Sequence, residues 1–368
     1  MKILLCFGTR PEAIKMAPLY HELKKHEAFE VIVCVTAQHR EMLDQVLDFF
    51  EIIPDYDLDV MQPNQTLNGL SSQILSKMDT VLNDANPDLV LVHGDTTTSA
   101  MVALATFHKG IKVGHVEAGL RTYNKKAPFP EELNRQLTGR IADFHFSPTL
   151  KASQNLLSEG VKNKAVVVTG NTVVDALYLT LEKLENGFTN ETIEYLKGKI
   201  NFNNKVILVT GHRRESFGEG FENICKAILE LSKNKELEII YPVHLNPNVQ
   251  ETVYKMLSGF ENILLIEPLD YPSFVWLMSK SSLIISDSGG IQEEAPSFNI
   301  PVLVTREATE RDEGIKAGCS YLVGNDMSKI VDIANKLLQL KLSRETHPNP
   351  YGDGKASEKI VNFIKNNL

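Results

Sequence analysis

Apolar residues along this chain fall into short β-branched runs separated by stretches of helical periodicity. The runs Ile3–Phe7, Val31–Val35, Leu89–His93, Lys112–Val116, Asp143–Phe146 and Ala165–Val168 form one series. Val206–Val209, Glu238–Tyr241, Ile263–Leu265, Leu283–Ser286 and Pro301–Leu303 form a second. Between them, Ala13–Lys25, Leu67–Leu82 and Phe221–Ser232 carry apolar positions at helical spacing. Strands that are apolar throughout, alternating with helices, predict parallel sheets covered on both faces. The pattern restarts near residue 205. It therefore predicts an α/β protein of two Rossmann-like domains: residues 1–170, joined by a final helix over 356–368, and residues 171–355. The helix follows the Pro- and Gly-bearing loop Pro348–Gly354.

Length and composition agree with this picture. The chain has 368 residues, of which 43% are hydrophobic, enough for two sizeable cores. Its formal charge of −9 argues against non-specific binding to nucleic acid or anionic membranes. An anionic ligand would then need a few local cations. Cys6, Cys34, Cys225 and Cys319 form no CxxC or metal-type spacing and read as reduced thiols. The opening apolar run, Ile3–Phe7, is too short for a signal peptide or a membrane span, so a cytoplasmic enzyme is expected.

The chemistry-bearing residues lie where apolar runs end, and ligands of open α/β sheets bind outside the carboxyl ends of strands. Asp95 follows Leu89–His93 through Gly94, and Glu117 follows Lys112–Val116. Two readings of Asp95 stand side by side: a carboxylate that acts on a ligand, or the cap of the helix that starts at Thr96. His93-x-Asp95 and His115-x-Glu117 also offer the side-chain types of a metal site. The carboxylates are nonetheless better read as catalytic, with the histidines structural or touching substrate, and no metal is expected.

The first strand-to-helix turn, Gly8-Thr9-Arg10-Pro11, lacks the GxGxxG of a dinucleotide fold, so no bound NAD or FAD is expected. Arg10, with Lys15 one turn later, instead suggests an anion site at a helix start; the alternative is two solvated cations. Glu131 falls in the first turn of a helix after Pro130, where it either complements the helix dipole or works on a ligand. Arg135, one turn on, is placed to clamp Glu131 or a sugar hydroxyl.

In the second half, Val206–Val209 delivers His212 and Arg213, suited to a diphosphate, and the next strand ends in His244. Leu283–Ser286 ends in Asp287-Ser288-Gly289-Gly290, whose free N–H groups face an anion. Glu294, one turn later, is placed for ribose hydroxyls, and Arg311 adds a cation downstream.

Taken together, Gly8–Leu19, His93–Ser99, His115–Thr122, Phe129–Arg140, Thr169–Asp175, Thr210–Gly220 and Asp287–Pro296 resemble the non-hydrolysing UDP-N-acetylglucosamine 2-epimerases of bacteria. The resemblance implies the two-domain glycosyltransferase-B architecture, with the active site in the interdomain cleft and UDP bound mainly by the second domain. It implies acid/base roles for Asp95, Glu117 and Glu131, with His212 assisting the diphosphate. Arg10, Lys15, Arg135, Ser288, Gly290, Glu294 and Arg311 would bind UDP-N-acetylglucosamine, and Phe274 would lie by the uracil. The implied chemistry is elimination of UDP to 2-acetamidoglucal followed by re-addition, with no redox cofactor. A homodimer is implied by the family alone.

A second UDP-N-acetylglucosamine binds some members as an effector, through a Gln-His-Arg-Gln pattern. Here that pattern reads Gln38-His39-Arg40-Glu41, and Asn64 stands where Gram-positive members have a basic residue. A glycosyltransferase of the same architecture, or an epimerase of a modified UDP-N-acetylhexosamine, is the alternative reading.

Overall fold

A computed structural model describes residues 1–37, 40–62, 64–211, 218–340 and 348–368, with the side chain of Glu41 excepted. By contacts the chain divides into two compact units, Met1–Leu179 with Tyr351–Leu368, and Thr180–Pro350.

The first unit contains strands β1 (Lys2–Phe7), β2 (Glu30–Val35), β3 (Tyr56–Asp57), β4 (Leu89–His93), β5 (Lys112–Val116), β6 (Phe144–Ser147) and β7 (Val166–Val168). Its helices are α1 (Arg10–Lys24), α2 (Arg40–Phe49), α3 (Leu67–Ala85), α4 (Thr97–His108), α5 (Glu131–Ile141), α6 (Leu150–Ser158) and the start of α7 (Thr172–Glu185). The strands form one parallel sheet in the order β3-β2-β1-β4-β5-β6-β7. Ile3 to Phe7 and Leu89 to Val92 are fully buried because helices cover both faces. On one face Leu4, Cys6, Val90 and Val92 pack with Ile74 and Met78 of α3 and with Val102 and Ala103 of α4.

The second unit holds α8 (Glu191–Lys199), β8 (Lys205–Thr210), α9 (Glu219–Leu231), β9 (Leu237–Pro242), α10 (Pro247–Leu257), β10 (Ile263–Ile266) and α11 (Tyr271–Ser279). After these come β11 (Leu283–Ser286), α12 (Gly289–Glu294), β12 (Val302–Val304), α13 (Asp312–Lys316), β13 (Ser320–Leu322) and α14 (Met327–Gln339). Its sheet is also parallel, in the order β10-β9-β8-β11-β12-β13.

Helix α15 (Ala356–Asn367) belongs to the first unit. It packs on α1, and its Phe363 ring lies 5.5 and 5.7 Å from the rings of Phe144 and Phe146. No helix among the described residues is long and apolar enough to cross a membrane.

Both sheets reverse direction of growth between their first and fourth strands, β1/β4 and β8/β11. Those two crevices are where doubly wound sheets hold ligands. Three elements differ from the sequence reading. Helix α1 begins at Arg10, three residues before the periodic stretch Ala13–Lys25, with Thr9 as its cap and Pro11 as its second residue. The strands β3 and β13 were not foreseen, because two- and three-residue runs give too little alternation to register as a period.

Candidate active site

In the first unit, the chain leaves β1 through Gly8, where a Cβ would come within 2.0 Å of Thr36 Oγ1 and 2.6 Å of Thr98 Oγ1. Only glycine fits there. Thr9 then caps α1 in a reciprocal pair with Glu12: its hydroxyl accepts from the Glu12 N–H, and its own N–H donates to the Glu12 carboxylate at 2.8 Å. Glu12 is 2% exposed and also accepts from the Gly8 N–H and from the hydroxyls of Thr9, Thr96 and Ser99. Burial raises its pKa, and these hydrogen bonds oppose the rise. One saturated carboxylate thus fastens the starts of α1 and α4 together, with Arg10 at the first position of α1.

At the end of β4 the chain turns through Gly94 to Asp95. Asp95 is not the cap of α4: that role belongs to Thr96, whose hydroxyl accepts from the Ser99 N–H at 3.0 Å. The Asp95 carboxylate is instead ion-paired with Arg135 of α5. Its carbonyl accepts from Asn134 Nδ2 at 3.0 Å. Arg135 also lies 3.4 Å from Glu132. The expected Arg135–Glu131 clamp is therefore replaced by Asp95 and Glu132. Buried Glu132 accepts from the N–H groups of Thr122 and Tyr123 and so fixes the loop that precedes α5. Glu131 sits in the first turn of α5, half-buried.

At the end of β5, Glu117 adopts φ +61°, a left-handed conformation that is costly for a residue with a side chain. Its carboxylate is ion-paired with Lys15 of α1 and accepts from Asn171 Nδ2 at 2.8 Å. His93 Nε2 lies 3.7 Å away. Burial, above all, pushes the His93 pKa down to about 4, so the imidazole is neutral and Lys15 supplies the positive charge.

His115 is buried more completely, its pKa falls to about 3, and its Nε2 lies 2.7 Å from the Gly94 carbonyl. The Gly94 N–H donates to the Val116 carbonyl at 2.9 Å. The two strand ends bearing Asp95 and Glu117 are thereby joined. His115 serves as a support of the turn, and no metal-binding cluster exists among the described residues.

In the second unit, Thr210 at the end of β8 shares a hydroxyl–hydroxyl bond of 2.8 Å with Ser286 at the end of β11. Ser286 Oγ also accepts from the Ser288 N–H. Ser288 caps α12 without a side-chain bond to the helix. Its Oγ and Glu294 Oε2 each lie 3.9 Å from where a Cβ on Gly290 would sit, so the two side chains flank that glycine. Gly289 runs beneath Arg311, whose guanidinium carbon would be 2.5 Å from a Cβ there. Arg311 is held by Glu293 at 2.8 Å and by Glu310.

Glu294 accepts from the Tyr271 hydroxyl at 2.8 Å. Phe274 lies one turn further along α11, on the face that Tyr271 shares. His244 is exposed, and its Nδ1 accepts from the Asn246 N–H. His212 and Arg213 lie outside the described residues, as do Gln38 and His39. Arg40 pairs with Asp57 at 2.6 Å and lies 3.5 Å from Asp44.

A family model described as UDP-N-acetylglucosamine 2-epimerase matches residues 21–365. The chain belongs to the UDP-N-acetylglucosamine 2-epimerase family. The family's enzymes are isomerases. A UDP-N-acetylglucosamine 2-epimerase of Salmonella typhimurium is 53% identical over 373 residues, spanning 99% of this chain and 98% of that protein. The crystal structure of UDP-GlcNAc 2-epimerase from Neisseria meningitidis bound to UDP-GlcNAc superposes with a TM-score of 0.93, at 51% identity and over 100% of both chains. A Methanocaldococcus jannaschii epimerase in complex with UDP-GlcNAc and UDP gives 0.82 at 32% identity, again over 100% of both chains. The α/β architecture of two parallel sheets is thus the glycosyltransferase-B-like fold of this epimerase family.

Sequence reading missed Glu12, Glu132 and Asn171 as parts of the site. Thr9-x-x-Glu12 carries the spacing of a capping box, and Asn171 precedes a helical stretch as a cap would. Neither signal says what the capping side chain reaches beyond its own helix.

Proposed function

We propose that this epimerase interconverts UDP-N-acetylglucosamine and UDP-N-acetylmannosamine by eliminating and re-adding UDP. The C2 proton of the sugar has no adjacent carbonyl to acidify it, so simple deprotonation is very slow. In the proposed step a carboxylate takes that proton as the C1–O bond to UDP breaks. A C1=C2 double bond forms, and UDP leaves with the bonding electron pair. Return of the UDP oxygen to C1, with a proton delivered to the opposite face of C2, gives the epimer. The chemistry requires one ionised and one protonated acid, exchanging roles between directions.

The observation that carries this reading is the pair of strand-end carboxylates, Asp95 with Arg135 and Glu117 with Lys15. Each is held in place by a buried cation. Glu131 is the third acid of the proposal. The second unit supplies the other half of the chemistry. Ser288, Gly289 and Gly290 offer N–H groups to the diphosphate, Glu294 accepts ribose hydroxyls, and Phe274 lies against the base. Arg10, His212, Arg213 and Arg311 would take up negative charge that grows on the leaving group. His244 borders the same strand ends.

The test is NMR of UDP-N-acetylglucosamine with pure enzyme in D₂O and no acceptor. We expect the manno epimer, with deuterium at C2. A product that keeps its original C2 hydrogen, or the absence of product until an acceptor is added, would overturn the proposal.

A further inference from the structure

Asn171 occupies a position that its capping role alone does not explain. It is 1% exposed and caps α7, with its Oδ1 accepting from the Val173 N–H at 3.0 Å. That bond fixes which way the amide points. The NH₂ end must face the other way, and there its Nδ2 donates to Glu117 Oε2 at 2.8 Å. The backbone of Asn171 is fixed too, because its N–H donates to the carbonyl of Tyr351 at 2.7 Å. Tyr351 opens the segment that leads into α15. Asp175 of α7 anchors that segment by accepting from the N–H groups of Ala356 and Ser357.

We propose that Asn171 is a positioning residue for Glu117: its amide, locked by the α7 cap and the returning C-terminal segment, donates to Oε2 and sets the orientation of the carboxylate. The inference rests on the reading of Glu117 as an acid/base group. An amide NH₂ can only donate, and Lys15 donates to the same oxygen. A proton placed on Oε2 would meet two donors, whereas a proton on Oε1 leaves both bonds intact. Oε1 lies on the Gly94 side, 3.6 Å from the position of a Gly94 Cβ. The same contacts make the C-terminal segment part of the catalytic apparatus of the first unit.

Asn171→Asp tests this, since it keeps size and cap but exchanges the donor for a carboxyl. The charged and titratable groups around it are Glu117, with Lys15 and His93 behind it, the Asp95–Arg135 pair beyond, Asp175 on its own helix, and Lys359 and Asp353 of the C-terminal segment. Lys359 donates to the Thr169 carbonyl at 3.3 Å and pairs with Asp353 at 3.0 Å.

At about pH 8 the introduced carboxylate opposes Glu117, and kcat should fall ~10- to 100-fold with KM within about threefold. At about pH 5.5 the introduced carboxyl, once protonated, donates the missing bond, and the deficit should shrink at least roughly fivefold. Asn171→Ser keeps a cap residue but is too short to reach Glu117. It should lose about tenfold in kcat equally at every pH, with UDP affinity unchanged.

Deficits of equal size and pH dependence in the two variants would overturn the proposal. So would kcat within about twofold of the parent for Asn171→Ser, which alone decides if the Asp variant does not fold. A dead Glu117→Gln beside fully active Asn171 variants would reject this inference and keep the proposed function. A fully active Glu117→Gln would reject the acid/base reading of Glu117 on which this inference rests.

Discussion

The fourth strands of the two sheets, β4 and β11, hold the same place in the same strand order and end in opposite kinds of chemistry. Each is followed by an aspartate and then by a hydroxyl residue that opens a helix: Asp95 with Thr96, and Asp287 with Ser288. Thr96 spends its hydroxyl on the helix it caps, and Ser288 does not. Past β4 and its neighbour β5, side chains crowd the strand ends: Arg135 on Asp95, Lys15 on Glu117, Glu12 on Thr96. Past β11, Gly290 leaves the backbone open while Gly289 runs beneath Arg311. One scaffold thus offers side-chain carboxylates in the first unit and backbone N–H groups in the second. The lesson is that the fold supplies the crevice, and the residues after the strand decide which groups it offers a ligand.

The largest expected effect breaks this comparison at its first half. Glu117→Gln and Asp95→Asn keep shape and remove the ionisable group, and each should lower kcat by ~10²–10⁴, the usual worth of acid/base catalysis. UDP affinity should stay close to that of the parent, because the proposed nucleotide contacts come mainly from the second unit. Steady-state kinetics alongside calorimetric titration with UDP separates the two quantities. If either variant lost UDP affinity and kept its kcat, the assignment of proton chemistry to the first unit would collapse.

The strand ends were legible in the sequence, and the partners of their side chains were not. Asp95, Glu117 and Ser288 announce themselves because each follows an apolar run. Arg135 was placed correctly on its helix, yet its partners are Asp95 and Glu132 rather than Glu131. Helical spacing fixes neighbours along one element and says nothing of which strand end lies opposite. The capping alternative for Asp95 failed for a related reason. Asp95 and Thr96 are both good caps, and only the geometry of the turn through Gly94 decides between them. Glu12 shows the reverse case, in which a readable local motif proved to be a long-range fastener, because its carboxylate had room for four further donors, two of them the hydroxyls of Thr96 and Ser99.

A second prediction sharpens the comparison through pH. The first unit buries His93, His115 and His145, with pKa values lowered by burial to about 4, 3 and 4. The only described histidine of the second unit, His244, is exposed. A histidine whose folded pKa lies below its unfolded value binds more protons when unfolded, so its site loses stability as pH falls through the unfolded pKa near 6.5. By about pH 4.5 each should cost roughly 2–3 kcal/mol. Amide hydrogen exchange, corrected for intrinsic pH dependence, should show β4, β5 and β6 losing protection on acidification before β8, β9 and β11. Equal loss in both sheets, or earlier loss in the second, would contradict the assignment of these histidines as neutral supports.

The smallest effect tests the second half of the comparison at two adjacent glycines. At Gly289 a new Cβ would meet the guanidinium of Arg311 at 2.5 Å, so Gly289→Ala must displace a side chain fixed by Glu293 and Glu310. At Gly290 the nearest atoms, Ser288 Oγ and Glu294 Oε2, stand 3.9 Å off, and the methyl group fits the protein without strain. What it does not fit is a phosphate resting on the backbone. Gly290→Ala should therefore keep its thermal stability and bind UDP about tenfold more weakly, since removing one good contact to a charged group costs about 1.5 kcal/mol or more. Its kcat at saturating substrate should change little, because the proposed proton chemistry sits in the other unit. A variant with normal UDP affinity would mean that no phosphate approaches this glycine, and the bare backbone past β11 would need another explanation.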